Sequence, residues 1–150
     1  MKKILSIFVL LFIIITLTAC NKENSIGQNN NEVNNQTKQI VKKLEIYYFH
    51  RTARCYSCKT IGQYVKEVME EKYEEQIKNG IIDFRELNVE LPENKGIAIK
   101  YQASGSSLFI NKIIDGKNNI EQDTNVWRLL SNEVQFKDYL ENKINSYLGI

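Results

Sequence analysis

Hydrophobic and polar positions divide the chain into three stretches. Ile4 to Leu17 is an apolar run interrupted only by Ser6 and Thr16. Asn21 to Gln39 is almost free of apolar residues, and ten of its 19 positions are Asn or Gln. From Ile40 onward, short apolar runs alternate with amphipathic ones. Leu44 to Phe49 reads as a buried strand rich in aromatic side chains. Ile61, Tyr64, Val65, Val68, Met69, Tyr73 and Ile77 recur at three- and four-residue spacing, which predicts one long helix stopping at Asn79-Gly80. Ile81 to Val89 reads as a second strand, and Pro92 opens a short helix carrying Ile97, Ala98 and Tyr101. Ser107 to Ile114 is a third strand, Asp115-Gly116 a turn, and Ile120 to Trp127 an antiparallel return. Ser131 or Asn132 caps a last helix with Phe136, Tyr139, Leu140, Ile144 and Tyr147 on one face. The predicted order is β-α-β-α-β-β-α, an α/β fold with a central mixed sheet flanked by helices. Residues 44–148, about 105 of them, are enough for one modest core.

The first stretch has the anatomy of a secretory signal: Lys2 and Lys3, an apolar run, then small Thr18 and Ala19 before Cys20. The run is short beside the about 20 apolar residues of a membrane span. The expected organisation is a signal peptide over residues 1–19, a tether over 20–41 and a folded domain over 42–150. The tether has too little to bury to offset its chain entropy.

Leu17-Thr18-Ala19-Cys20 resembles the lipobox of bacterial lipoproteins. That resemblance implies lipid attachment at Cys20, cleavage before it, and residence on a membrane, facing out of the cytoplasm. Two or three acyl chains anchor stably, where one does so only marginally.

Composition narrows the function. The 150 residues include 20 Lys and Arg, 18 Asp and Glu, three Cys and one His. Without Lys2 and Lys3, basic and acidic residues are equal at 18, which offers no argument for a nucleic-acid partner. Three cysteines are too few for a disulfide scaffold. One histidine excludes a multi-histidine metal centre and disfavours a Ser/His/Asp hydrolase. No cofactor is called for.

The chemistry concentrates in Arg54-Cys55-Tyr56-Ser57-Cys58. A CxxC placed between a strand and a helix puts Cys55 at the helix N-terminus, where free N–H groups and the positive dipole end favour a thiolate. Arg54 and Lys59 add positive charge nearby. Cys58, one turn on, can resolve a mixed disulfide. The alternatives are capture of a soft metal or metalloid by two thiolates, and a purely structural disulfide. His50 is a candidate for proton transfer or a third ligand, although such a residue is more often an ordinary satisfied loop histidine. Ser106 and Ser107 are candidates to donate hydrogen bonds to a thiolate, or plain loop residues before the third strand.

Taken together, the element order and the CxxC resemble the thioredoxin-like superfamily over residues 44–148. Lys100-Tyr101 and Gly105 to Ile110 are similar to the thioredoxin stretch leading into its third strand. More narrowly, Tyr47-Tyr48-Phe49-His50, Arg54-Cys55, Cys58-Lys59 and Ser106 to Phe109 resemble the nitrophenyl compound nitroreductase subunit ArsF family. The superfamily resemblance implies thiol–disulfide exchange with a protein partner. The narrower one implies a link to nitroreductase or arsenic-related systems. The chain also departs from thioredoxin. Arg54 stands where Trp is usual, and Ser107 (or Ser106) falls at the cis-proline position, which eases metal access to the thiols. Ile46 to Phe49 offers no counterpart of the buried acid.

Overall fold

A computed structural model describes residues 41–150. The expected signal peptide, Cys20 and nearly all of the tether lie outside the described residues. Among the described residues no helix is long and apolar enough to cross a membrane.

Four strands form one sheet in the order β2-β1-β3-β4. They are β1 (Lys43–His50), β2 (Ile82–Asn88), β3 (Ser107–Ile114) and β4 (Lys117–Asp123). β1 runs parallel to β2 and antiparallel to β3, and β4 returns antiparallel to β3. The helices are α1 (Tyr56–Lys72), α2 (Glu74–Lys78), α3 (Lys95–Tyr101) and α4 (Glu133–Leu148).

β1 is central and buried on both faces, which explains its nearly unbroken apolar run. Its even-numbered residues Leu44, Ile46 and Tyr48 pack with Ile61, Val65 and Met69 of α1 and Phe136, Leu140 and Ile144 of α4. Its odd-numbered residues Tyr47 and Phe49 pack with Phe109, Ala98 and Tyr101 on the α3 face. The pairing Tyr47↔Phe109 keeps both rings on that face, and Ile46↔Ile110 keeps both side chains on the other. Val41, one residue before the expected start of the domain, is also buried in the first cluster.

Two elements differ from the sequence reading. The long helix expected to run through Ile77 is broken at Tyr73, whose backbone leaves the helix at φ −128° and ψ 17°. Its ring is buried, and its hydroxyl lies 2.8 Å from Asn145 Oδ1 and 3.0 Å from the Glu141 carbonyl of α4. Tertiary contact with α4 thus overrides a local periodicity that continued unbroken. β4 begins at Lys117, not Ile120, because Asp115 and Gly116, with φ of 51° and 75°, make a two-residue type I′ turn that starts the return strand at once. It ends at Asp123, and Asn125–Trp127 is a 3₁₀ turn, not strand. Asp123 accepts from the Asn125 N–H at 3.0 Å and from Tyr139 and Lys143 of α4 at 2.9 and 2.8 Å. That buried carboxylate redirects the chain. Asn132 supplies the α4 cap, accepting from the Gln135 N–H at 3.1 Å.

Candidate functional site

The C-terminal end of β1 delivers the chain into a short loop and then into α1. Cys55 is the N-cap of α1, in extended backbone conformation, and its sulfur accepts from the Cys58 N–H at 3.3 Å. Cys55 and Cys58 are disulfide-bonded, with Cα atoms 5.2 Å apart. Cys55 is exposed and Cys58 half-buried. The helix N-terminus therefore faces Cys55 with its free N–H groups.

The loop is held from both sides. Arg51 donates twice to the Ser104 carbonyl, at 3.0 and 2.9 Å, tying it to the segment before β3. The Thr52 N–H donates to Glu90 at 3.0 Å, and Asn88 donates to the Thr52 hydroxyl at 2.9 Å. Hydrogen bonding from the Thr52 side chain, and then from its N–H, keeps the Glu90 carboxyl below its ordinary range.

Beneath the cysteines lies a second layer. The Tyr48 hydroxyl donates to the Cys58 carbonyl at 2.5 Å. Arg54 donates to the same carbonyl at 3.2 Å, pairs with Glu86 at 2.5 Å and lies over the Tyr48 ring. Burial pushes the Tyr48 phenol above its ordinary range, while Ser106 and Arg54 pull against that. It remains a hydrogen-bond donor at any physiological pH. His50 stacks on Tyr48, bonds the Arg51 carbonyl through Nδ1 at 2.9 Å and turns Nε2 toward Glu86 at 3.8 Å. Ser106 sits beside the Tyr48 hydroxyl. Ser107 is buried at the start of β3, opposite Phe49, and spends its hydroxyl on the Gly105 carbonyl at 3.0 Å.

The structure thus gathers Cys55, Cys58, Arg54, His50 and Ser106 around one end of β1, with Ser107 turned to its own loop. Arg54 differs from the sequence reading in direction. It folds inward under Cys58 instead of standing beside Cys55. Two residues were missed. Tyr48 could have been found from strand parity, since it shares a face with Ile46 and so with α1. Glu86 comes from β2 and reaches the site only through parallel pairing, for which no local signal exists.

Tyr56 is 83% exposed beside the disulfide. With Tyr64, Trp127 and Leu130 it lines a groove of about 520 Å³ between α1 and the β4–α4 loop. Among the described residues no group of three or more His, Cys, Asp or Glu side chains could hold a metal ion.

A mixed sheet in this order, with helices on both faces and a CxxC capping the first helix after the central strand, defines a thioredoxin-like fold. Among solved structures, a thioredoxin from Fasciola hepatica is 19% identical, over 67% of this chain and 81% of its own, with a TM-score of 0.41. Thioredoxin O2 from Arabidopsis thaliana in its oxidised state is 19% identical, over 66% of this chain and 80% of its own, with a TM-score of 0.40. No protein-family model matches the chain, and no curated protein matches it.

Proposed function

We propose that this protein performs thiol–disulfide exchange with a protein partner through Cys55 and Cys58. The observation that carries the reading is the bonded pair at the α1 N-terminus, with Cys55 as exposed N-cap and Cys58 a turn inside. Cys55 attacks the partner disulfide as thiolate, and Cys58 then attacks the Cys55 sulfur to release the reduced partner. The domain works outside the cytoplasm, held to the membrane by lipid on Cys20. Support for the anchor is Leu17-Thr18-Ala19-Cys20 at the end of the apolar run. Service as a redox subunit in an ArsF-type nitroreductase system is the narrower form of the reading, supported by the motifs around Tyr48, Cys55 and Ser107.

The test is insulin reduction by the full-length chain with a thiol reductant. Cys55→Ser is expected to abolish it, and Cys58→Ser to accumulate mixed disulfides on a non-reducing gel. Activity that survives Cys55→Ser would reject the proposal.

A further inference from the structure

Among the described residues, Arg54 Nε is buried and has no hydrogen-bond partner. Of its terminal nitrogens, Nη1 donates to Glu86 and Nη2 to the Cys58 carbonyl. The slot is tight. A single Cβ added at Gly62 would collide with Arg54 Nη2 and the Tyr48 ring. The Arg54 side chain is only 19% exposed. A buried donor left unpaired forfeits its hydration without a replacement bond. Such a group, alone among the buried side-chain polar atoms of the described residues, calls for a cause, and a redox role is one. Arg54 precedes Cys55 in sequence and holds the Cys58 carbonyl, and in the oxidised protein the sulfurs of these two residues are uncharged.

We propose that Arg54 sets the redox balance of the Cys55–Cys58 pair by stabilising its reduced form, with Glu86 acting against it. The proposal rests on the exchange reading above. In the step concerned, a partner dithiol gives two electrons and becomes a disulfide. The Cys55–Cys58 bond breaks, leaving one thiolate and one thiol, and the remaining proton passes to solvent. The disulfide offers the guanidinium no charge, whereas the reduced pair offers a thiolate. A cation that favours the thiolate stabilises the reduced form and makes the disulfide a stronger oxidant. Glu86 opposes this by drawing on the same guanidinium, whose charge it offsets. His50 faces Glu86 and Tyr48 donates to Cys58, while Arg51 is turned away to Ser104. Arg54 is thus a positioning and charge-bearing residue, not a nucleophile.

The experiment equilibrates the full-length chain with graded mixtures of reduced and oxidised glutathione at one fixed pH. The oxidised fraction is read by alkylation and mass spectrometry. Arg54→Met, which fills the slot without charge, is expected to lower the equilibrium constant for oxidising glutathione about tenfold, about 30 mV for this two-electron couple. Glu86→Gln is expected to raise it about threefold. Opposite signs separate this role from a structural clamp, whose loss would move both variants alike. Values within twofold of the parent, or shifts of one sign, would overturn the assignment. Should Arg54→Met not fold, Glu86→Gln decides alone: a rise supports the proposal and no rise overturns it. If the parent pair never equilibrates with glutathione, the exchange reading itself fails, and this inference with it.

Discussion

Cys55 and Cys58 share one turn of α1, yet their surroundings differ. Cys55 stands at the helix mouth, exposed, with its sulfur on the Cys58 N–H. Cys58 is half-buried above Tyr48 and Arg54, which both donate to its carbonyl. In the reduced protein, pH-resolved alkylation with peptide mapping should therefore label Cys55 first, with Cys58 lagging. Labelling of Cys58 first would reverse the assigned roles. Gly62 carries a second prediction. Its missing side chain is what leaves room for Arg54 and the Tyr48 ring. Gly62→Ala should cost about 1–3 kcal/mol in denaturant unfolding, the usual penalty for overpacking, even though alanine favours helix more than glycine does. A stabilised variant would show that the slot can open.

Between elements, polar groups complete what apolar packing begins. Glu45 of β1 accepts from Tyr101 of α3 at 2.5 Å, from Asn111 of β3 at 2.7 Å and from Lys100 at 3.4 Å. Burial pushes its carboxyl up, but these partners outweigh burial and hold it below the ordinary range. A carboxylate held low in the folded state adds stability above its unfolded pKa of about 4.3. That stability is lost as pH falls through the lower folded value. The parent domain should thus lose thermal midpoint on acidification below about pH 4.5 more steeply than Glu45→Gln, which has no charge to lose there. Parallel curves for the two would place the acid sensitivity elsewhere. Tyr73 shows the same logic in covalent continuity. Its residue type and spacing fit the helix, but its hydroxyl finds partners only on α4, and the helix ends there.

For the molecule as a whole, β1 separates two poles. Its eight residues span about 26 Å. Val41 enters at one end, beside Ile81 and Leu148, and the cysteines follow the other. A domain anchored through its N-terminus would present the disulfide at the pole remote from the attachment. The Asn-rich stretch 21–39 has little to bury, so the fragment from Ile40 and the fragment from Asn21 should melt within a few degrees of each other. A large loss in the shorter fragment would show that the stretch packs on the domain. Cys20→Ala should abolish incorporation of labelled fatty acid. Labelling that persists would remove the lipid from Cys20.

By itself the sequence determined the element order, the faces of α1 and α4, the turn at Asp115-Gly116 and the helix-mouth position of Cys55. These depend on periodicity and on backbone chemistry within a few residues, which a single chain displays directly. Tertiary structure alone decided the break at Tyr73, the end of β4 at Asp123, the inward turn of Arg54 and the arrival of Glu86. Each depends on a partner 20 to 72 residues away. Its position follows from strand register and helix packing, and no local pattern encodes them.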